Sequence, residues 1–253
     1  REVVHVPSGN YVIVYDRVVK ATGGGATNDI LRWHTRNPMT TVFSTYKTDA
    51  GNNRMFRRLI TSSATPFQPT YLNRQSTDHG STTYREEQTL SLSGGSSYIL
   101  TVFQLTTTGT ASMQAMSEIP HAGINLPLDS TFRGVTINEG VFKHFMFSTN
   151  TNGTQPSTMV YYAEQAGTND VHRIFNLNPG QSYTITESNA GLPSGYYKYV
   201  LLETFDSPFV ANTAGVLEFM PTQLLAGGVE YYSINIIDLA DAPSVATVST
   251  PAL

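Results

Sequence analysis

Phe175-Asn-Leu-Asn-Pro-Gly-Gln-Ser-Tyr-Thr-Ile-Thr-Glu-Ser-Asn-Ala-Gly-Leu-Pro-Ser-Gly-Tyr196 is the stretch whose reading decides the fold. Leu177 closes one strand, and Asn178-Pro179-Gly180 supply a tight turn. Tyr183 and Ile185 open the next strand, and the period of two puts Glu187 on their face. The device recurs. Leu92-Ser-Gly-Gly-Ser-Ser-Tyr98 precedes Ile99 and Leu100, and Leu225-Ala-Gly-Gly-Val-Glu-Tyr231 precedes a run ending in Ile236 and Ile237. Val6-Pro-Ser-Gly-Asn-Tyr11, one residue shorter, precedes Val12 and Ile13. Four turns running into a tyrosine predict an all-β chain of stacked sandwiches.

Outward from that stretch, strands are dense. They are predicted at Gly134–Ile137, Val141–Phe147, Met159–Tyr162, His172–Leu177, Tyr197–Phe205, Val216–Phe219 and Tyr231–Asp238. Earlier in the chain, residues 2–19 read as two strands around Pro7-Ser8-Gly9-Asn10, and Thr41–Tyr46 reads as another. Glu87–Leu92 and Tyr98–Leu105 read as a hairpin through Gly94-Gly95. Residues 61–82 read as loop, because Ser, Thr, Pro and Asn dominate them. Thr27 to His34 reads as a short helix, with Thr27 or Asn28 as its cap and Ile30, Leu31 and Trp33 to bury. The stretch from Ile119 to Leu128, with two prolines and a glycine, reads as a linker. It divides the expectation into an N-terminal sandwich over 1–125 and a C-terminal one over 126–253, Ig-like or transthyretin-like, with long polar loops. The alternative is a single viral jelly roll.

Composition narrows the function classes. Of 253 residues, 40% are hydrophobic and 13% charged, so the chain has a core and a surface made soluble largely by Thr, Ser, Asn and Gln. The absence of cysteine excludes disulfides, thiol nucleophiles and thiolate metal sites. The chain opens on Arg1, which reads as the start of a processed product or a fragment. No apolar run is long enough for a membrane span. Residues 1–85 hold eleven Lys and Arg against five acids, a net of +6, and residues 86–253 hold four against fourteen, a net of −10. Such halves suit head-to-tail packing of like subunits, or a basic face for a polyanion. Arg54, Arg57 and Arg58, around Phe56, are the densest basic patch and the candidate polyanion contact.

No catalytic set emerges. The six histidines are scattered without the helical spacing of a zinc protease, and no nucleophile elbow is present. Asp170 and His172 share a strand face, and Glu203 and Asp206 lie near a strand end, without a third group in sequence. The chain is therefore expected to be non-enzymatic, with no cofactor and no metal. Lys143 on the face of Val141, Phe145 and Phe147, and Glu187 on the face of Tyr183 and Ile185, do ask for an explanation. A charge on an apolar face must be paired or neutralised. Desolvation lowers an amine's pKa and raises a carboxyl's, the arrangement an intramolecular isopeptide bond requires.

Residues 175–196 resemble the glutamate-containing box of Cna-B (SpaA-type) domains of Gram-positive pilins and adhesins. They match at Leu177, Pro179, Gly180, Tyr183, Ile185, Glu187, Ala190, Gly195 and Tyr196, and depart at Gly191 and in loop length. The resemblance spans residues about 133–240. It implies Lys143 as amine donor, Glu187 as catalytic acid and Asn235 as acceptor of an isopeptide bond.

The expectation is a structural subunit, extracellular or at a cell surface, that assembles with copies of itself or related subunits into a fimbria-like fibre or a layer, or adheres to a host glycan or protein. The alternative is the coat protein of a non-enveloped icosahedral virus, in which case nucleic acid joins the partners and the location is the virion. A carbohydrate-binding module would need an exposed aromatic row, for which Tyr161-Tyr162, Tyr196-Tyr197 and Tyr231-Tyr232 are candidates.

Overall fold

The structure is a computed structural model that describes residues 1–19, 28–42, 45–62, 74–78, 81–91, 96–119, 132–148, 158–164, 169–191, 198–204, 209–220 and 229–236. These residues form strands, with one turn of 3-10 helix at Pro7–Gly9. In chain order the strands are β1 (Glu2–Val6), β2 (Tyr11–Val19), β3 (Asn28–Thr35), β4 (Thr40–Val42), β5 (Thr45–Ala50), β6 (Asn53–Ser62), β7 (Arg74–Asp78), β8 (Ser81–Ser91), β9 (Ser96–Thr107) and β10 (Met116–Ile119). There follow β11 (Phe132–Asn138), β12 (Phe142–Ser148), β13 (Thr158–Glu164), β14 (Val171–Phe175), β15 (Ser182–Gly191), β16 (Lys198–Thr204), β17 (Phe209–Val210), β18 (Leu217–Phe219) and β19 (Val229–Ile236).

Four sheets result. The first runs β1-β2-β9-β6-β5-β4, the second β10-β11-β12-β14-β18, and the third β13-β19-β15-β16 with β17 on β15. The fourth is β3-β8-β7. Pairings are antiparallel except β12 with β14, which is parallel.

The second sheet is buried on both faces, which its sequence explains. β12 reads Phe-Lys-His-Phe-Met-Phe-Ser and has no solvated face. On one side Phe145 and Phe147, with Val135 and Ile137 of β11, meet Tyr11, Ile13 and Tyr15 of β2 and Leu100 and Val102 of β9. On the other side Met146, Phe132 and Ile174 meet Tyr183 and Ile185 of β15. Each large apolar side chain so enclosed stabilises the fold by about 1.5–3 kcal/mol. A stack of four rings crosses from the first sheet into the second. Tyr98 lies on Tyr15 at 6.4 Å, Tyr15 on Phe147 at 4.9 Å, and Phe147 on Phe175 at 4.9 Å between centroids. Offset stacks of this kind add about 0.5–1.5 kcal/mol per pair.

The predicted strands of the second half are all found within a few residues. The helix at Thr27 to His34 is not. Asn28–Thr35 is strand β3, paired with β8 from Asn28↔Ser91 to Thr35↔Tyr84. Three apolar residues in eight fit either period, and cross-strand pairing decides between them. The hairpin through Gly94-Gly95 is also absent: β8 pairs with β3 and β7, and β9 with β2 and β6. Part of the loop expected over 61–82 is strand β7, joined to β8 from Asp78↔Ser81 outward. Strand β10, ahead of the expected linker, pairs with β11 behind it. The linker's residues 120–131 lie outside those described.

The turn that opens the sequence reading is built as its residues demand. Gly180 has φ +75°, a region that costs an L side chain strain. The Asn178 amide donates to the Tyr183 hydroxyl at 3.1 Å, so the tyrosine ties down the turn five residues before it. Tyr183→Phe removes that acceptor while keeping the ring. The expected loss is about 1 kcal/mol of unfolding free energy, the cost of a half-buried amide left without its partner. Urea denaturation checks it, and an unchanged midpoint would show that the hydroxyl does not hold the corner.

Candidate functional site

The first candidate is the arginine patch of β6. Strand alternation puts Arg57 on the face opposite Arg54, Phe56 and Arg58. Arg54 lies over the Phe56 ring, and its guanidinium is held bidentate by Asp49, at 2.7 and 2.8 Å, and donates to the Thr110 carbonyl at 2.6 Å. Arg57 is only 1% exposed. Its guanidinium lies over Tyr46 at 5.2 Å and Trp33 at 6.0 Å, in the layer where Trp33 meets Phe103 edge-on. Trp33 is thus a half-buried plug that is also a cation platform, with Arg1 over it at 5.6 Å. Arg58 stands opposite Val102, a residue of the inner core. The three arginines are not one surface.

The second candidate is the set Lys143, Glu187 and Asn235. Lys143 shares the face of Phe145 and Phe147, toward the first sheet. Its ammonium binds the Glu139 carboxylate four residues earlier and donates to Ser8 Oγ at 2.9 Å. Glu187 and Asn235 belong to β15 and β19 of the third sheet, which packs on the opposite face of the second. Glu187 stands opposite Tyr232, and Asn235 opposite Thr184. The side chains of these two lie outside the described residues. The explanation for Lys143 on an apolar face is thus an ion pair with Glu139, formed on the side of the second sheet away from Glu187 and Asn235. The intact mass is expected to equal that of the sequence, and Lys143→Met to change it only by the substitution. A mass one ammonia short that Lys143→Met restores would overturn that assignment.

Around this ion pair lies a polar junction between the first two sheets. Burial, then the neighbouring Glu139 carboxylate, pushes the Tyr11 hydroxyl's pKa up to about 12, so it stays protonated. Gln104 donates to that hydroxyl at 3.4 Å, and the Gln104 carbonyl accepts from the Gln114 amide at 2.9 Å. Gly9 makes room for it, since a Cβ there would sit 1.9 Å from Tyr11 Cε2 and 2.2 Å from Glu139 Oε1. Ser8, Lys143, Glu139, Tyr11 and Gln104 thus join the 3-10 turn, β2, β9 and β12. The arrangement fixes register between sheets.

The third constellation was not assembled by the sequence reading. The register Thr136↔His144↔His172↔Phe219 aligns four side chains across β11, β12, β14 and β18. Thr136 Oγ1 is 2.9 Å from His144 Nδ1, the two imidazoles lie 4.2 Å apart, and His172 stacks on Phe219 at 4.8 Å. Both histidines are fully buried. Burial pulls the His144 pKa down to about 3, and burial together with the His144 ring holds His172 well below its usual value. Neighbouring Asp170 is also buried and accepts the Phe142 amide at 2.8 Å. The one signal in sequence was that His144 and His172 each alternate with apolar residues along a strand. Among the described residues no group of three or more His, Asp or Glu side chains is placed to hold a metal ion. No family model matches the chain, and no curated protein matches it.

The histidine row sets a pH dependence. Both folded-state pKa values lie below the unfolded value of about 6.5. The unfolded chain therefore binds more protons, and their contribution is complete above that pH and is lost as pH falls below it. Each histidine is expected to cost about 1.4 kcal/mol per pH unit in that window. Denaturation of the wild type and of His172→Phe at pH 7.5 and pH 5 checks this. The variant should lose less stability on acidification, and identical losses would exclude the row as the acid-sensitive element.

Proposed function

We propose that this chain is a non-enzymatic structural subunit that assembles with copies of itself into a surface fibre or layer. The observation that carries the reading is the free side of β1. This strand pairs with β2, and no strand lies beyond it among the described residues. Its side chains alternate in exposure, with Val4 packed on the core and Val3, 61% exposed, facing outward. An apolar residue on an unpaired strand edge is a template for a further strand, which soluble monomers usually blunt with lysine or proline. The +6 and −10 halves of the sequence supply complementary charge for head-to-tail packing. In this reading the two expected sandwich modules, 1–125 and 126–253, share the four-ring stack and serve as one stiff building block. The tyrosine-tied corner at Tyr183 is in keeping with the resemblance to Cna-B domains, and an extracellular or cell-surface location goes with it. Among the described residues no helix is long and apolar enough to cross a membrane.

Negative-stain microscopy and light scattering over a concentration series test the reading. The wild type is expected to form regular filaments or layers, and Val3→Lys to shift assembly to higher concentration. Closed shells would favour the coat-protein alternative. Dispersed monomers at every concentration, for both proteins, would overturn the proposal.

A further inference from the structure

The outer face of the first sheet carries a groove of about 700 Å³. Its floor is the apolar row Ala50, Met55 and Leu105 from β5, β6 and β9, with Leu105 49% exposed. Met55 stands opposite both Thr48 and Leu105, so one face of three adjacent strands makes the floor. Two residues further along, the same face carries Arg57 and Phe103 under Trp33, beyond the residues that line the groove. The wall is His34, Thr35 and Arg36 at the end of β3. Asn37 pins the wall to the floor: its carbonyl accepts from Thr35 Oγ1 at 2.7 Å and from Thr48 Oγ1 at 3.2 Å, and its side-chain amide donates to the Asp49 carbonyl. The groove is therefore preformed.

The charge along it is one-signed. Among the described residues no acidic side chain lines it. Arg54, also in the lining, is neutralised by Asp49. Arg36 is exposed and makes no ion pair among the described residues. One uncompensated guanidinium at the rim of an apolar floor complements a ligand with one anionic head and an apolar body. Among the described residues no Phe, Tyr or Trp lines the groove, so it lacks the broad platform on which a sugar would stack. The volume suits a molecule of 10 to 20 heavy atoms, on the order expected for pockets of this size.

We propose that this groove is a binding site for a small amphipathic monoanion, such as a medium-chain carboxylate, with its head on Arg36 and its apolar body on Met55 and Leu105. The site is independent of the assembly reading and uses none of the residues invoked there.

The test uses the full chain and two probes, anilinonaphthalene sulfonate followed by fluorescence and decanoate as competitor. One saturable site is expected, with decanoate displacing the dye. Arg36→Ala should weaken both anions about tenfold, the effect of one charge-assisted contact, while leaving decanol binding unchanged. Leu105→Asp, at an exposed position, should abolish dye binding with an unaltered circular dichroism spectrum. Ala50→Trp, which fills the groove from a second exposed position, should do the same. Non-saturable binding, or binding indifferent to all three substitutions, would overturn the proposal. So would loss of the dye site on concentrating the protein, because a second copy would then be the occupant.

Discussion

Everything in this chain depends on a sheet that has no wet side. β12 and its neighbours β11 and β14 must be covered twice, once by the first sheet and once by the third. A strand buried on both faces gains apolar burial from each but loses water as a partner for anything polar it carries. The polar residues on β12 therefore meet their needs internally. Lys143 takes Glu139 and Ser8, His144 takes Thr136, and the ring of Phe147 extends aromatic contact to the first sheet while that of His144 meets His172 within its own sheet.

The two faces of that sheet are solved with different chemistry. Toward the first sheet the contact is hydrocarbon and stacked rings, closed at one end by an ion pair. Toward the third it is hydrocarbon with a row of two neutral imidazoles. Burial holds both imidazoles of that row neutral, so acid acts on the face toward the third sheet.

How much of this was legible follows from where each signal lived. The corner at Asn178–Tyr183 was readable because a turn residue, a glycine and a tyrosine act within six positions of one another. The dense strands after residue 132 were readable because period-two patterning is local. Residues 28–35 misled because a single apolar cluster fits helix and strand alike, and its partner β8 lies some fifty residues away. Lys143 was correctly singled out as needing a partner. Its partner came from the adjoining turn rather than from the third sheet, since nothing in sequence says which face of β12 meets which layer. Arg54, Arg57 and Arg58 looked like one patch in sequence, yet the strand period splits them, and Asp49, Tyr46 and Trp33 take two of them. The groove was invisible, because its wall and floor come from four separate strands.

The parallel pairing of β12 with β14 has a kinetic side. Between them the chain leaves the second sheet to lay down β13 in the third, then returns. It does so again, from β14 to β15 and from β18 to β19. Neither sheet is finished before the other is under way, so the nascent chain must hold several incomplete edges open until residues near 236 have emerged. Such interleaving raises contact order and slows folding relative to a string of hairpins. It also makes the second half difficult to cut into pieces that fold alone.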